Sequence, residues 1–201
     1  QLVPAATGYN TKFSARVRSA LDLDVLKRAC ARLVARHAAL RTTFFVEDGV
    51  PLQRVHASLP FGFEVLDVEG WTQEAVKERA TRDLARPFAL TTGPVLRVCV
   101  YRSGPEDHVF VLSIHHLLND LTSCAVLIDD LGALYDSELT GAPDKLPELR
   151  AQYPAFVKWQ NDILTAASGQ QAEAYWRQLI ESMPGGLEIP AEPVFLHPHH
   201  N

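Results

Sequence analysis

The sequence has few cysteines, and none of them form a close pair. Cys30, Cys99 and Cys124 are odd in number and widely spaced, without a C-x-x-C pair. This spacing argues against a zinc framework and against a fold stapled by disulfides. We therefore expect three buried thiols and a protein of the reducing cytoplasm.

Clusters of basic residues and long apolar runs are also missing. The chain has 19 lysines and arginines, 24 aspartates and glutamates, and a net charge of -5, so it lacks the basic footprint of a nucleic-acid-binding protein. Its apolar runs are shorter than the ~20 residues of a membrane-spanning helix. Residues 1–10 have neither the charged nor the apolar region of a secretory signal, which also fits a fragment of a longer chain. We expect neither nucleic acid nor a membrane as a partner.

The remaining pattern is that of an ordinary globular domain. Of 201 residues, 47% are hydrophobic and 21% are charged, which is enough for a sizeable core. Strands and helices are mixed without regular βαβ alternation, so we predict an α+β sandwich. Asp24 is the expected N-cap of the first helix. The predicted strands span residues 9–17, 40–46, 51–56, 61–68, 95–101 and 108–114, and the predicted helices span residues 25–37, 72–85, 123–139, 153–167 and 171–182.

Two adjacent histidines, His115 and His116, stand out at the end of an apolar strand, and Asp120 follows them. Imidazole exchanges protons near neutral pH, and the end of a strand can present a side chain to a cleft. Buried histidines are also common structural residues, and neighbours on a strand point to opposite faces. The residues alone leave both interpretations open and do not choose between the two histidines.

Two kinds of catalytic site fit this histidine pair poorly. Zinc hydrolases space their histidine ligands three or more residues apart and place a glutamate nearby, which is not the pattern here. Ser113 and Ser123 do not lie in the G-x-S-x-G turn of a serine hydrolase. What remains is a histidine that acts as a base or orienting group on substrates brought from outside, such as an amine or hydroxyl attacking a thioester. We expect Asp120 to form an ion pair and not to act as the base, and Arg41 is its natural partner.

Four segments, in the same order along the chain, resemble motifs of the condensation domains of nonribosomal peptide synthetases. Residues 115–123 resemble H-H-x-x-x-D-G-x-S, residues 36–44 resemble R-H-E-x-L-R-T-x-F, residues 87–97 resemble P-F-D-L-x-x-G-P-L-L-R, and residues 153–159 resemble Y-x-D-F-A-x-W. Together these motifs extend over most of the chain. The histidine pair also argues against the heterocyclising relatives, which carry aspartates there, whereas epimerisation domains share it.

The resemblance implies a chloramphenicol acetyltransferase-like fold in which two lobes enclose a tunnel. Upstream and downstream carrier proteins would deliver the acyl thioester and the amine on phosphopantetheine arms, and the domain would bind no cofactor or metal of its own. Carried over by position, His116 is the catalytic histidine. His115 and Asp120 are structural, with Asp120 paired to Arg41, and Leu121 and Ser123 lie where the acceptor approaches.

The departures from the family pattern concern the acceptor and the size of the domain. Leu121 stands in place of a glycine, and it either packs as the first residue of its helix or narrows acceptor access. The motifs of the second lobe are absent, so we expect an N-terminal lobe over residues 1–182 and a connector over residues 183–201. The exposed partner face of such a lobe favours self-association, and little or no activity is expected without the missing C-terminal lobe. Ester formation, chain release and a degenerate carrier-protein docking scaffold remain alternatives to amide formation.

Overall fold

The structure, a computed structural model, describes residues 7–183 and residue 185. The chain divides into two compact units, Gln1–Tyr153 and Pro154–Asn201. The strands are β1 (Asn10–Val17), β2 (Thr42–Glu47), β3 (Val50–Val55), β4 (Gly62–Asp67), β5 (Leu96–Gly104) and β6 (Asp107–His115), and the helices are α1 (Leu23–Arg36), α2 (Gln73–Leu84), α3 (Leu121–Thr140), α4 (Tyr153–Thr165) and α5 (Ala167–Ser182).

A four-stranded mixed sheet forms the centre of the first unit. Its strand order is β1-β6-β5-β4, with β4 and β5 parallel and the other pairs antiparallel. The central strands β5 and β6 are buried along most of their length, which explains their nearly continuous apolar sequence. The short hairpin of β2 and β3 forms a separate two-stranded sheet. The predicted α+β sandwich is confirmed, and it has a mixed sheet with flanking helices.

Helices cover both faces of this sheet. On one face, α1 and α3 pack with Phe110, Leu112 and Ile114 of β6 in the main core. On the other face, α2 packs in a smaller cluster that includes Tyr101 and Val111. Because side chains alternate along a strand, His115 lies on the same face of β6 as Val111. The sandwich thus fixes the face of the sheet on which the first histidine of the pair lies.

The first helix begins slightly earlier than the sequence suggests. The carboxylate of Asp22, not that of Asp24, accepts hydrogen bonds from the backbone N–H groups of Asp24 and Val25 at 3.0 and 2.9 Å. The prediction of Asp24 as the N-cap was therefore wrong by two residues. Both aspartates precede the apolar pattern, and only the backbone geometry distinguishes them.

The second unit contains most of α4 and the whole of α5. Neither helix has a buried residue, and several large apolar side chains are exposed on both. The division after Tyr153 differs from the predicted lobe of residues 1–182, which stays a prediction. Apart from residues 183 and 185, the predicted connector and its histidine-rich end lie outside the described residues.

The three cysteines are buried free thiols, as the sequence predicts. Burial raises the pKa of the Cys30 thiol to about 12, so this group stays protonated and behaves as a small apolar side chain. In the part of the chain that the structure describes, no helix is long and apolar enough to cross a membrane.

Candidate active site

The histidine pair lies at the junction between β6 and α3. His115 is the last residue of β6, and His116 opens the turn that leads to Leu121, the first residue of α3. The turn is held to the residue just before β1, because the backbone N–H of His116 donates to the carbonyl of Tyr9 at 2.8 Å. In the sheet register, Asn10 lies opposite His115. The start of β1 therefore fixes the backbone of both histidines.

His116 is exposed, and a hydrogen bond to its own turn orients its ring. Its Nδ1 lies 2.7 Å from the backbone carbonyl oxygen of Asn119. A carbonyl oxygen only accepts hydrogen bonds, so Nδ1 carries a proton, and in the neutral ring Nε2 then has the free lone pair. An exposed imidazole in this tautomer can accept a proton from a nucleophile that approaches Nε2.

His115 is buried and has the opposite tautomer. Its Nδ1 accepts a hydrogen bond from the backbone N–H of Leu117 at 3.2 Å, which leaves the proton on Nε2. The rings of Tyr9 and Phe88 lie 6.3 and 6.4 Å from the His115 ring. Burial, and next the neighbouring His116, lowers the pKa of His115. A neutral His115 fits a structural role in which it shapes the turn.

Asp120 caps the helix that follows the turn. One of its carboxylate oxygens accepts hydrogen bonds from both the backbone N–H and the hydroxyl of Ser123, each at 2.7 Å. These two bonds from Ser123 hold the pKa of the Asp120 carboxyl below its usual range. The side chain of Ser123, predicted to lie at the acceptor's approach, is therefore occupied by the helix cap. Asp120 thus fixes the end of the turn that carries His116.

The predicted ion pair between Arg41 and Asp120 is not formed, and this part of the sequence interpretation was wrong. Arg41 ends a 3-10 turn, whereas the sequence suggested the start of a strand. From this position its guanidinium donates to backbone carbonyls at the end of α1 and after β3. The acceptors are Val34, Ala35, His56 and Ala57. These carbonyls replace the carboxylate that the sequence suggested as the partner of this cation.

Leu121 projects from the start of α3 into solvent. Its side chain is 87% exposed, so it does not pack within the described residues as the first residue of its helix. Tyr9 and Leu117, whose backbones flank His116, are 53% and 44% exposed. An exposed aromatic ring and two exposed leucines therefore surround the turn. The turn therefore presents exposed apolar side chains as well as the exposed imidazole of His116.

Sequence reasoning missed a set of buried side chains on the face of the sheet that carries His115. Asn10, Phe88 and Arg97 are each at least nine-tenths buried and lie on the side of the sheet that carries His115. One signal was visible, since Arg97 is a cation at the start of a strand that is otherwise almost wholly apolar. Among the described residues, no group of three histidine, cysteine, aspartate or glutamate side chains could hold a metal ion.

Comparison with known proteins gives consistent matches. The family model of the condensation domain matches residues 1–197. Cyclosporin synthetase simA of Tolypocladium inflatum is 37% identical over 188 residues, and tyrocidine synthase 3 of Brevibacillus parabrevis is 32% identical over 192 residues. These matches cover 93% and 96% of this chain, but only 1% and 3% of the two synthetases.

Solved structures show the same fold. A double mutant of the starter condensation domain of the rhizomide synthetase RzmA superposes with a TM-score of 0.83 at 18% identity, covering 92% of this chain and 45% of that one. The chain thus spans less than half of that structure and corresponds to part of a two-lobed, chloramphenicol acetyltransferase-like domain. With a family model matching nearly its whole length, the chain belongs to the condensation-domain family.

Proposed function

We propose that this chain is the N-terminal lobe of a condensation domain that joins a carrier-bound acyl thioester to a carrier-bound amine. The observation that carries the proposal is the exposed imidazole of His116, whose Nδ1 is bonded to the Asn119 carbonyl. Upstream and downstream carrier proteins would present both substrates on phosphopantetheine arms. Its synthetase relatives support this placement. Three buried thiols support a reducing cytoplasm as its location.

The proposed reaction needs no nucleophile from the protein. The amine nitrogen attacks the thioester carbonyl carbon while Nε2 of His116 accepts the amine proton and becomes part of an imidazolium. The C–N bond forms, the C–S bond breaks, and the departing thiolate takes a proton from the imidazolium. The hydrogen bond to Asn119 keeps the ring in place throughout and disperses the charge it gains. His116 is neutral again at the end of the cycle.

The exposed Leu121 favours a second candidate within the same chemistry. A branched side chain at this position would restrict the size of the nucleophile that can approach the base. A small alcohol or free amine would then react with the thioester more readily than a bulky amine. Ester formation or chain release would use the same His116 and the same thioester donor. The intact His116 tautomer supports either reaction over a degenerate docking scaffold, which has no need of an oriented base.

Replacing His116 tests the central assignment. In the complete condensation domain, His116→Ala should lower the condensation rate by about 10²–10⁴-fold because the proton acceptor is lost. Single-turnover transfer between two loaded carrier proteins measures this rate. His56→Ala is the control, since His56 lies at the base of the β2–β3 hairpin and bonds Thr43. Unchanged condensation by His116→Ala would remove His116 from any catalytic role.

Replacing Asp120 distinguishes two roles for its carboxylate, as a helix cap or as the partner in an ion pair. Asp120→Ala should lower the melting temperature by roughly 2–4 °C, whereas Asp120→Asn should be nearly neutral because asparagine caps helices equally well. Asp24→Ala, an exposed acidic change in the first turn of α1, is the matched control. A double-mutant cycle with Arg41→Ala should give no coupling. If Asp120→Ala and Asp120→Asn lower the melting temperature equally, and Asp120 couples strongly to Arg41, then Asp120 acts through an ion pair with Arg41 and not as a helix cap.

Shortening Leu121 tests its effect on the acceptor. We expect Leu121→Ala to raise kcat/KM for a bulky amine by roughly tenfold and to leave a small alcohol acceptor unchanged. One loaded donor is offered to both acceptors, and the amide and ester products are measured by mass. Leu139→Ala is the control because Leu139 is 53% exposed near the other end of α3. An unchanged product ratio would show that Leu121 does not contact the acceptor.

We further propose that the lobe alone is inactive, because most of the walls of a two-lobed tunnel come from the missing lobe. This chain, incubated with both loaded carriers, should give little or no condensation product, and light scattering should detect self-association through its exposed partner face. The complete domain under the same conditions is the positive control. Product formation by the chain alone at the rate of the complete domain would contradict the proposal.

A further inference from the structure

Arg97 is a buried cation that donates its hydrogen bonds to backbone carbonyls and not to a carboxylate. It is 9% exposed, and none of the described acidic side chains lies within ion-pair distance of it. Its guanidinium donates to the carbonyls of Arg86 at 2.6 Å, Pro87 at 2.9 Å and Asp83 at 3.4 Å. Burial, and next the nearby Arg86, lowers the pKa of Arg97. Three carbonyls at and beyond the end of α2 therefore hold this cation, where the helix dipole favours it.

The same guanidinium fixes an aromatic ring that touches the histidine pair. The central carbon of the Arg97 guanidinium lies 3.9 Å from the centre of the Phe88 ring, in cation–π contact. The Phe88 ring meets the His115 ring edge to face, with centres 6.4 Å apart and planes at 86°. Phe88 is 8% exposed and so has little room to reorient. A line of contacts thus runs from Arg97 through Phe88 to His115.

A second strand holds the same segment. The side-chain amide of Asn10 donates to the carbonyls of Leu84 at 3.1 Å and Arg86 at 3.0 Å. The Arg86 carbonyl thus accepts from both Asn10 and Arg97, which tie β1 and β5 to the segment that carries Phe88. Asn10 is also the residue opposite His115 in the sheet. The segment that carries Phe88 is therefore hydrogen-bonded to both β1 and β5.

Gly62 makes room for Arg97 at the edge of the sheet. It is the residue of β4 opposite Arg97 in the sheet register. A Cβ atom at position 62 would lie 2.6 Å from Cγ of Arg97, close to the backbone end of the side chain. A larger residue there would displace the Arg97 side chain while leaving its charge present.

We propose that Arg97 is a positioning residue for condensation: through Phe88 it fixes His115, and His115 in turn fixes the turn that carries His116. The last link is the hydrogen bond from the backbone N–H of Leu117 to Nδ1 of His115. The inference rests on the proposed role of His116 and adds a residue that never touches substrate. Lysine cannot replace Arg97, because a point charge on a flexible stem neither stacks flat on Phe88 nor reaches all three carbonyls.

The test compares Arg97→Met, Arg97→Lys and Gly62→Ala in the complete condensation domain. We expect all three to lower kcat by about 10–100-fold, as displacements of ~1 Å do, with KM for the loaded carriers changed less than twofold. Arg102→Met is the matched control because Arg102 lies further along β5 in an exposed ion pair with Asp67. Wild-type kcat in the Arg97 variants, or a full rescue by lysine, would overturn the proposal.

Nitrogen NMR of the labelled histidines distinguishes positioning from mere stability. In the wild type, the His116 signal should show a protonated Nδ1, and in Arg97→Met it should show a mixture of tautomers at a temperature where the protein is still folded. A lower melting temperature with an unchanged His116 tautomer and kcat would mean a purely structural role and would overturn the proposal.

A parallel His116→Ala sample keeps the two proposals separate. If it retains condensation, the proposed catalytic role fails, while the tautomer measurement still decides the role of Arg97. If it loses condensation and the Arg97 variants match the wild type in both readouts, the positioning proposal alone fails.

Discussion

The hydrogen bond between Nδ1 of His116 and the carbonyl of Asn119 is the interaction on which the proposed chemistry depends. This hydrogen bond forms only when the turn after β6 has one particular conformation. Three backbone anchors set that shape: the pairing of His116 with Tyr9, the Leu117 bond to His115, and the cap of Asp120 on α3. The tautomer of the proposed base thus follows from strand pairing and helix capping, without a carboxylate partner.

Two arginines, the half-buried Arg41 and the buried Arg97, are held by backbone carbonyls, whereas the buried Asp83 and Asp130 pair with arginine side chains. Arg41 and Arg97 both donate to carbonyls at or near helix ends, where orphan acceptors are abundant. Burial alone would raise the pKa of Asp83, but hydrogen bonds from Tyr101 and Arg79 outweigh it and keep the pKa low. Carbonyls are fixed by the fold and hold a guanidinium at a defined place, whereas a flexible acidic side chain would have to be ordered first.

The pattern of apolar residues predicted the strands, the helices and the mixed α+β class, because burial on the sheet decides those residues locally. The sequence located the candidate site at His115 and His116, but it did not predict which groups contact each other there. Sequence reasoning paired Arg41 with Asp120, since complementary charges are the simplest partners to propose. It could not foresee that Arg41 ends a 3-10 turn beside the free carbonyls of α1. Arg97 was visible as an isolated cation in an apolar strand, but its partners were not, because backbone acceptors leave no trace in a sequence.

Helix capping also explains why Leu121 is exposed and is not part of the core. The cap by Asp120 fixes where α3 begins, and Leu121 is then the first helical residue with its side chain directed to solvent. At such a position glycine and leucine differ little in buried area, because the side chain is 87% exposed. They differ in the volume that they occupy at the start of α3. The same cap that supports the proposed base therefore also sets the direction of Leu121, so under the proposed function a substitution at this position would change the choice of acceptor and leave the hydrogen bonds of the turn intact.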